Sequence, residues 1–392
     1  MADSFCLHNA TVLTGYSVMK NCAVYVKNNK IADVFNEERF AKKRFAPDVK
    51  IINVNKAFVA PGFIDTHIHG IGGFGADDQS GSSILRMSEI LPHYGVTSFI
   101  PTLYAAKEDK LVKDIQAITA AMGKESGAKI LGIHLEGPFI SPERLGVQTA
   151  DAVSPVDVEM MKRLWEAAEG KIINMTVAPE LKGMRELALF CIEKGIILQA
   201  GHTNATYEQM LEGMQVRIMH TTHLFNAMSR IHHRNPGAVG AVFIHPEMSC
   251  ELIADGVHID PNLIKMLVQF KPIDKLVLVT DALKPTKQKA DILTANGDEV
   301  YLDKCFYRKS DGVIAGSALT MIDGVRNLIS WGLSPDQAIR MASTNPARIM
   351  NFTAKGQIAP GYDADLVIFN HNCEILGTVI NGLLRHYNHS GD

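Results

Sequence analysis

Read for apolar and polar periodicity, the middle of the chain alternates two kinds of segment. Short apolar runs of strand length begin at Phe63 and recur at 96–102, 129–136, 172–178, 196–202, 218–223, 251–255 and 275–281. Between several of them lie stretches such as 83–94 and 156–168, where apolar residues return every three or four positions. That is the period of a helix with one buried face. Apolar strands alternating with amphipathic helices imply a parallel sheet covered on both sides. Eight such units in roughly 250 residues predict an α/β fold, a (β/α)8 TIM-like barrel. An open, doubly wound sheet is the rival with the same alternation.

The two ends read differently. Residues 5–59 hold short β-type runs at 5–7, 22–26 and 51–54, parted by turn residues such as Asn28-Asn29, and 356–369, 375–380 and 383–387 are again strand and turn. Two separate small domains would each sit near the size at which a lone core is marginal. The expectation is one small β-sandwich domain built from both termini, 1–58 and 353–392, flanking a catalytic barrel over 59–352.

Composition narrows the class. The 392 residues allow two domains with a large core. Lysine and arginine number 39 against 42 acids, so no global charge draws the chain to nucleic acid or a membrane surface. The run Lys42-Lys43-Arg44 reads as a solvated face. No apolar stretch approaches the roughly 20 residues that span a bilayer. Met1-Ala2-Asp3-Ser4 lacks the charged start and apolar core of a signal peptide. Cys6, Cys22, Cys191, Cys250, Cys305 and Cys373 are far apart with no Cys-x-x-Cys, the pattern of buried thiols in a reducing compartment. A cytoplasmic location is expected, with neither nucleic acid nor membrane as partner.

What the strand ends carry changes the picture most. Pro61-Gly62-Phe63-Ile64-Asp65-Thr66-His67-Ile68-His69-Gly70 runs into two histidines one residue apart, which an extended strand points the same way. Two neutral imidazoles on one face suit a metal ion. Further strand-length runs end at Glu136, His202, His223 and Asp281. In a barrel of parallel strands catalytic groups gather at the C-terminal strand ends. Strands one, three, five, six and eight would therefore deliver His67, His69, Glu136, His202, His223 and Asp281 to one rim. An open sheet does not bring those five strands to a common centre. The bland alternative, scattered surface polar residues, needs six metal-type ligands at strand ends by coincidence.

These stretches resemble the amidohydrolase superfamily and, within it, the N-acetylglucosamine-6-phosphate deacetylase family, nearly end to end. The resemblance is carried by 61–70, His-Leu-Glu-Gly-Pro-Phe at 134–139, Ala-Gly-His-Thr-Asn-Ala at 200–205, His-Leu-Phe-Asn-Ala-Met at 223–228, Ala-Asp-Gly-Val-His at 254–258, Thr-Asp-Ala at 280–282 and Ala-Gly-Ser-Ala-Leu-Thr at 315–320. The Glu-Gly-Pro and Leu-Phe-Asn-Ala-Met elements separate that family from dihydroorotases and ureases. The resemblance implies metal-dependent hydrolysis of N-acetylglucosamine 6-phosphate to glucosamine 6-phosphate and acetate, in amino-sugar catabolism. It implies that Glu136, His202 and His223 hold the principal ion, zinc or iron. Some members lack the His-x-His pair and bind one ion; His67 and His69 are kept here, so a second ion bridged by Glu136 is expected. No strand-end lysine matches the carboxylated lysine of other relatives. Asp281 is expected to move the proton of the attacking water as well as touch metal; its rival reading is an N-cap after strand eight. Arg234 and His258 are implied to bind the sugar phosphate, Arg234 across the interface of a homodimer. Asn226 and Ala227 would contact the same end of the substrate, with Ile314, Ala315 and Gly316 lying against the sugar.

Two loops depart from the family pattern. Where Gly-Ala-His is usual, the chain reads Gly146-Val147-Gln148. Glutamine donates and accepts hydrogen bonds but carries no proton charge, so Val147 and Gln148 are expected to touch the sugar with an altered preference. N-acetylgalactosamine 6-phosphate is then the competing substrate. The loop 283–288 is more basic than the family's. Another metal-dependent amidohydrolase, acting on a cyclic amide or N-acyl amino acid, would be favoured by the absence of phosphate preference. A non-catalytic protein that kept the fold is opposed by the presence of all six ligands.

Overall fold

The structure, a computed structural model, describes residues 4–387. Eight parallel strands form the barrel in chain order: Phe63–Ile68, Val96–Leu103, Ile133–Glu136, Ile172–Val177, Ile197–Ala200, His220–Thr221, Ser249–Ile253 and Leu276–Val279. The ring closes just past the eighth strand. There the Asp281 amide donates to the His67 carbonyl and the His69 amide to the Ala282 carbonyl, both at 2.9 Å. A closed ring has no edge strand, so the open sheet is set aside.

A helix follows each strand: Gly81–Ile90, Glu108–Ala121, Val158–Ala167, Met184–Lys194, Tyr207–Gln215, Gly237–Ile244, Pro261–Phe270 and Met321–Ser330. Their starts are written locally. Asp157 accepts from the Met160 amide at 3.0 Å, and Thr206 and Gln209 cap each other's backbone. The run 129–136 is not one strand. Lys129–Ile130 pairs with the second barrel strand, and the chain restarts at Ile133. A Cβ on Gly132 would lie 2.7 Å from the Ile173 side chain, so the break sits where that side chain presses on the backbone.

Along each strand one set of side chains faces the helices and forms the apolar core, with Phe63, Phe99, Leu135, Met175 and Leu252 fully buried. The other set fills the lumen and is largely polar. His134 lies between Thr102 Oγ1 at 3.1 Å and Thr176 Oγ1 at 2.9 Å, and the Gln199 amide donates to Glu251 at 2.9 Å. Such groups stay inside because each finds a partner.

Both termini share a second sheet, in the order Lys30–Asn36, Val18–Lys27, Phe5–Leu13, Phe58–Pro61, Leu366–Phe369, Ile375–Ile380, Leu383–Tyr387. Phe5–Leu13 takes Lys50–Asn53 as a further parallel partner. The domain expected from the ends is thus one continuous branched sheet, joined where Phe58–Pro61 pairs antiparallel with Leu366–Phe369. It closes on its own core of Leu7, Val12, Val24, Val59, Leu366 and Ile368.

One element was not foreseen. Leu293–Ala295, Asp298–Asp303, Cys305–Arg308 and Ile314–Gly316 form a four-stranded antiparallel sheet between the eighth barrel strand and its helix. Its local signal was present: Asn296-Gly297, both at positive φ (49° and 81°), between two runs of strand-forming residues. Asn-Gly is the favoured pair for a two-residue hairpin turn.

Candidate active site

The five strand ends converge as the spacing required. Glu136 is the centre. Its Oε1 lies 3.1 Å from His202 Nε2, 3.0 Å from His223 Nε2 and 3.5 Å from His67 Nε2. Its Oε2 lies 3.4 Å from His69 Nε2. Asp281 Oδ1 faces the same pair, 3.4 Å from His67 Nε2 and 3.3 Å from His69 Nε2. The side chains form two triads, His67–His69–Asp281 and Glu136–His202–His223. All six are buried.

The backbone is shaped for this. His202, His223 and Asp281 have φ of 45°, 23° and 49°. Non-glycine residues in that region cost of order 1–3 kcal/mol each and cluster where surrounding structure enforces them. No helix follows Asp281 before Met321, so the N-cap reading falls away. The imidazoles are oriented from behind. His69 Nδ1 donates to the Thr102 carbonyl at 3.1 Å and His202 Nδ1 to the Arg144 carbonyl at 3.0 Å. His67 Nδ1 meets Glu251 Oε2 at 2.9 Å. In each ring Nε2 is thereby turned into the cluster.

The electrostatics favour a bound cation. Burial opposes ionisation of Glu136, yet His202, His223 and His67 hold its carboxyl well below the usual range. Asp281 is likewise held low against burial, by His67 and His69. Burial opposes charge on His67, but Glu251, Asp281 and Glu136 outweigh it and hold its imidazolium up at about 10. A pocket so rich in negative charge takes a proton or a metal ion. The donor set fits a metal. His202 Nε2 and His223 Nε2 stand 3.2 Å apart, and His67 Nε2 is buried without a hydrogen-bond partner. Convergent lone pairs of this kind repel unless a cation lies between them.

The cluster forms the floor of a cavity of about 390 Å³. Val147, Asn226, Ala227, His258, Ile314, Ala315 and Gly316 line it. His258 is held by Asp255, whose Oδ2 accepts from His258 Nδ1 at 2.6 Å. The unforeseen sheet supplies the wall at 313–316. Gly316 takes φ 150°, and a Cβ there would lie 2.5 Å from Leu283. A larger hollow, about 480 Å³, lies between 179–186 and 209–216 and is lined by no imidazole or thiol.

Two expected substrate residues are placed elsewhere. Gln148 is buried beneath the floor and does not line the cavity. Its Oε1 accepts from the Ala105 amide at 3.0 Å, and its Nε2 donates to Glu136 Oε2 at 2.7 Å. Both ends of the amide are engaged, so it orients Glu136. Arg234 is exposed, its guanidinium against His233 at 2.9 Å, and within this chain it does not reach the cavity; Arg230 does.

Residues 58–384 match the Amidohydrolase family. The chain belongs to that family. It is 36% identical to the N-acetylglucosamine-6-phosphate deacetylase of Bacillus subtilis, over 97% of each chain. Its fold superposes with TM-score 0.90 on that of Mycobacterium smegmatis N-acetyl-D-glucosamine-6-phosphate deacetylase in complex with N-acetyl-D-glucosamine-6-phosphate (26% identity, 98% of this chain and 100% of that one). The Pasteurella multocida N-acetylglucosamine-6-phosphate deacetylase gives TM-score 0.90 at 30% identity, over 97% and 99%. Amidohydrolases of this family are metal-dependent, in keeping with the two triads.

Reading this amidohydrolase by its strand ends missed groups that act from one layer further out. Glu251 lies mid-strand and reads as one acid in an apolar run. Tyr104 stacks on His69, ring centroids 3.8 Å apart and nearly parallel. Nothing local marks either one, because each works through another residue's side chain.

Proposed function

We propose that the protein hydrolyses the acetamide of N-acetylglucosamine 6-phosphate to glucosamine 6-phosphate and acetate. The observation that carries this reading is the pair of triads, with Glu136 of one facing His67 and His69 of the other, at the floor of a cavity that also presents His258. Glu136, His202 and His223 would hold one divalent ion, zinc or iron, and His67, His69 and Asp281 a second, with Glu136 between them. When bound, such an ion polarises the amide carbonyl and makes water acidic enough to attack near neutral pH. Asp281, ionised and aimed at the same centre, takes the proton of the water as its oxygen adds to the acetyl carbon. It returns that proton to the amine nitrogen as the C–N bond breaks. Asp255 orients His258 toward the sugar phosphate. The backbone at 314–316 and the loop at 226–227 confine the ring.

A homodimer completes the site in this reading. Arg234 has the planar fork that suits a phosphate dianion, and its exposure in the single chain supports a role in the partner's cavity. Exposed apolar side chains in the same loop and at the ends of two later helices support burial against a second copy: Ile231 is 60% exposed, Ile244 53% and Phe270 69%. Lys271, bonded to the Val242 and His245 carbonyls at 2.8 and 2.9 Å, ties the helix ending at Phe270 to the one ending at Ile244. Residues 1–58 and 353–392 are assigned to a supporting β domain and 59–352 to catalysis. A cytoplasmic location belongs to the same reading, supported by six buried cysteines, none in a disulfide. Among the described residues no helix is long and apolar enough to cross a membrane.

The test is acetate release from N-acetylglucosamine 6-phosphate, its galacto epimer and the unphosphorylated sugars, before and after chelation. The 6-phosphate of N-acetylglucosamine should have the highest kcat/KM. Activity should vanish on chelation and return with zinc or ferrous iron. Turnover of cyclic amides or N-acyl amino acids with none of the phosphosugars would overturn the reading.

A further inference from the structure

Glu251 is a carboxylate with no exposure at all, on the seventh barrel strand, outside both triads and outside the cavity. A buried charge of this kind is expensive unless it is paired and fully hydrogen-bonded. Its partners account for its presence. Oε2 meets His67 Nδ1 at 2.9 Å and accepts from the His223 amide at 3.3 Å. Oε1 accepts from Gln199 Nε2 at 2.9 Å. Burial works against its charge, but His67 and His220 outweigh it, and Glu251 stays ionised.

The orienting partners of the cluster histidines differ in kind. His69 and His202 are oriented by backbone carbonyls, those of Thr102 and Arg144. His223 Nδ1 has no hydrogen-bond partner. His67 alone is oriented by a charged side chain. A carboxylate behind an imidazole fixes its tautomer and raises its basicity as a ligand. We propose that Glu251 is a positioning residue for the His67–His69–Asp281 triad, and that it sets how tightly this triad holds its ion while the Glu136–His202–His223 ion is left in place. The inference rests on the metal-dependent reading above.

Glu251→Gln tests it with little change of shape. An amide offers one acceptor oxygen where the carboxylate offers two, so either His67 or Gln199 is left facing a donor. Metal content is read by elemental analysis after equilibration in a series of buffered free-zinc concentrations. The parent should bind two ions per chain. Glu251→Gln should keep the tighter and bind the weaker about 10- to 100-fold less well. In a His67→Ala chain, adding Glu251→Gln should have no further effect on zinc binding, since the pathway runs through that ring. Glu251→Asp keeps the charge but draws it back from His67; it should show the same selective loss and serves if the glutamine variant does not fold. Unchanged affinity for both ions, or equal loss of both, overturns the proposal. A parent that is fully active with no bound metal instead removes the metal-dependent reading beneath it.

Discussion

At Asp281 the backbone and the side chain serve different ends. The amide closes the barrel on the His67 carbonyl, and the carbonyl accepts from the Ser317 amide at 3.0 Å. The carboxylate is left to the cluster. Asp281→Asn keeps the backbone bonds and most of the shape while removing the carboxylate proposed to accept the proton. Turnover should fall about 10²- to 10⁴-fold with substrate affinity and thermal midpoint little changed. Near-normal kcat in that variant would leave Asp281 a structural residue. Gln148 teaches the opposite lesson. Its sequence position suggests contact with the sugar, yet its amide bridges Ala105 and Glu136, so what it tunes is the carboxylate that stands between the two triads. The six strand-end side chains of the cluster were legible because five apolar runs end in them, His67 and His69 sharing one. The supporting shell of Gln148, Glu251 and Tyr104 was not, because a hydrogen bond between distant strands leaves no local pattern.

At the scale of elements, the helix Glu108–Ala121 carries a buried acid that is not part of the chemistry. Burial pushes the Asp114 carboxyl up to about 6, and Lys110 at 2.7 Å offsets this only in part. Its Oδ1 has no partner. An unfolded aspartate titrates near 3.9, so between about pH 4 and 6 the folded chain binds more protons than the unfolded one. The favourable contribution of the protonated group is complete below about pH 4 and is lost as pH rises through 6. Asp114→Asn removes that dependence. Measured as the difference in urea midpoint from the parent, the variant should gain as pH goes from 4 to 7. A difference that does not move with pH would show that Lys110 neutralises the pair. Helix and strand positions were readable from periodicity because burial on one face imposes it. The break at Gly132 and the sheet over 293–316 were not read: one depends on how closely Ile173 approaches, the other on an Asn-Gly turn between two short strand-forming runs.

For the molecule as a whole, a site shared between two copies makes predictions that a site within one chain does not. Phosphate binding positions the substrate away from the reacting amide, so Arg234→Ala should weaken phosphorylated substrate strongly and unphosphorylated sugar hardly at all. Mixing Arg234→Ala chains with Asp281→Asn chains distinguishes the two arrangements. In a dimer that shares its sites, one site of each mixed pair carries both defects and the other carries neither. Activity should reappear from two nearly inactive proteins once subunits exchange. If exchange is demonstrated and no activity returns, Arg234 acts within its own chain.

Period and strand-end chemistry were enough to predict the barrel, the pairing of the two termini in one sheet and the convergence of six strand-end side chains, because each follows from which residues must be buried and which strand ends share a rim. Direction and distance were beyond the sequence. That Glu136 joins two triads, that His202, His223 and Asp281 sit at positive φ, that Gln148 faces inward and Arg234 outward, and that Glu251 stands behind His67 all depend on contacts between residues tens to hundreds of positions apart. Only closure of the barrel brings those atoms within hydrogen-bonding range, and only there do burial and neighbouring charge decide which carboxylates stay ionised.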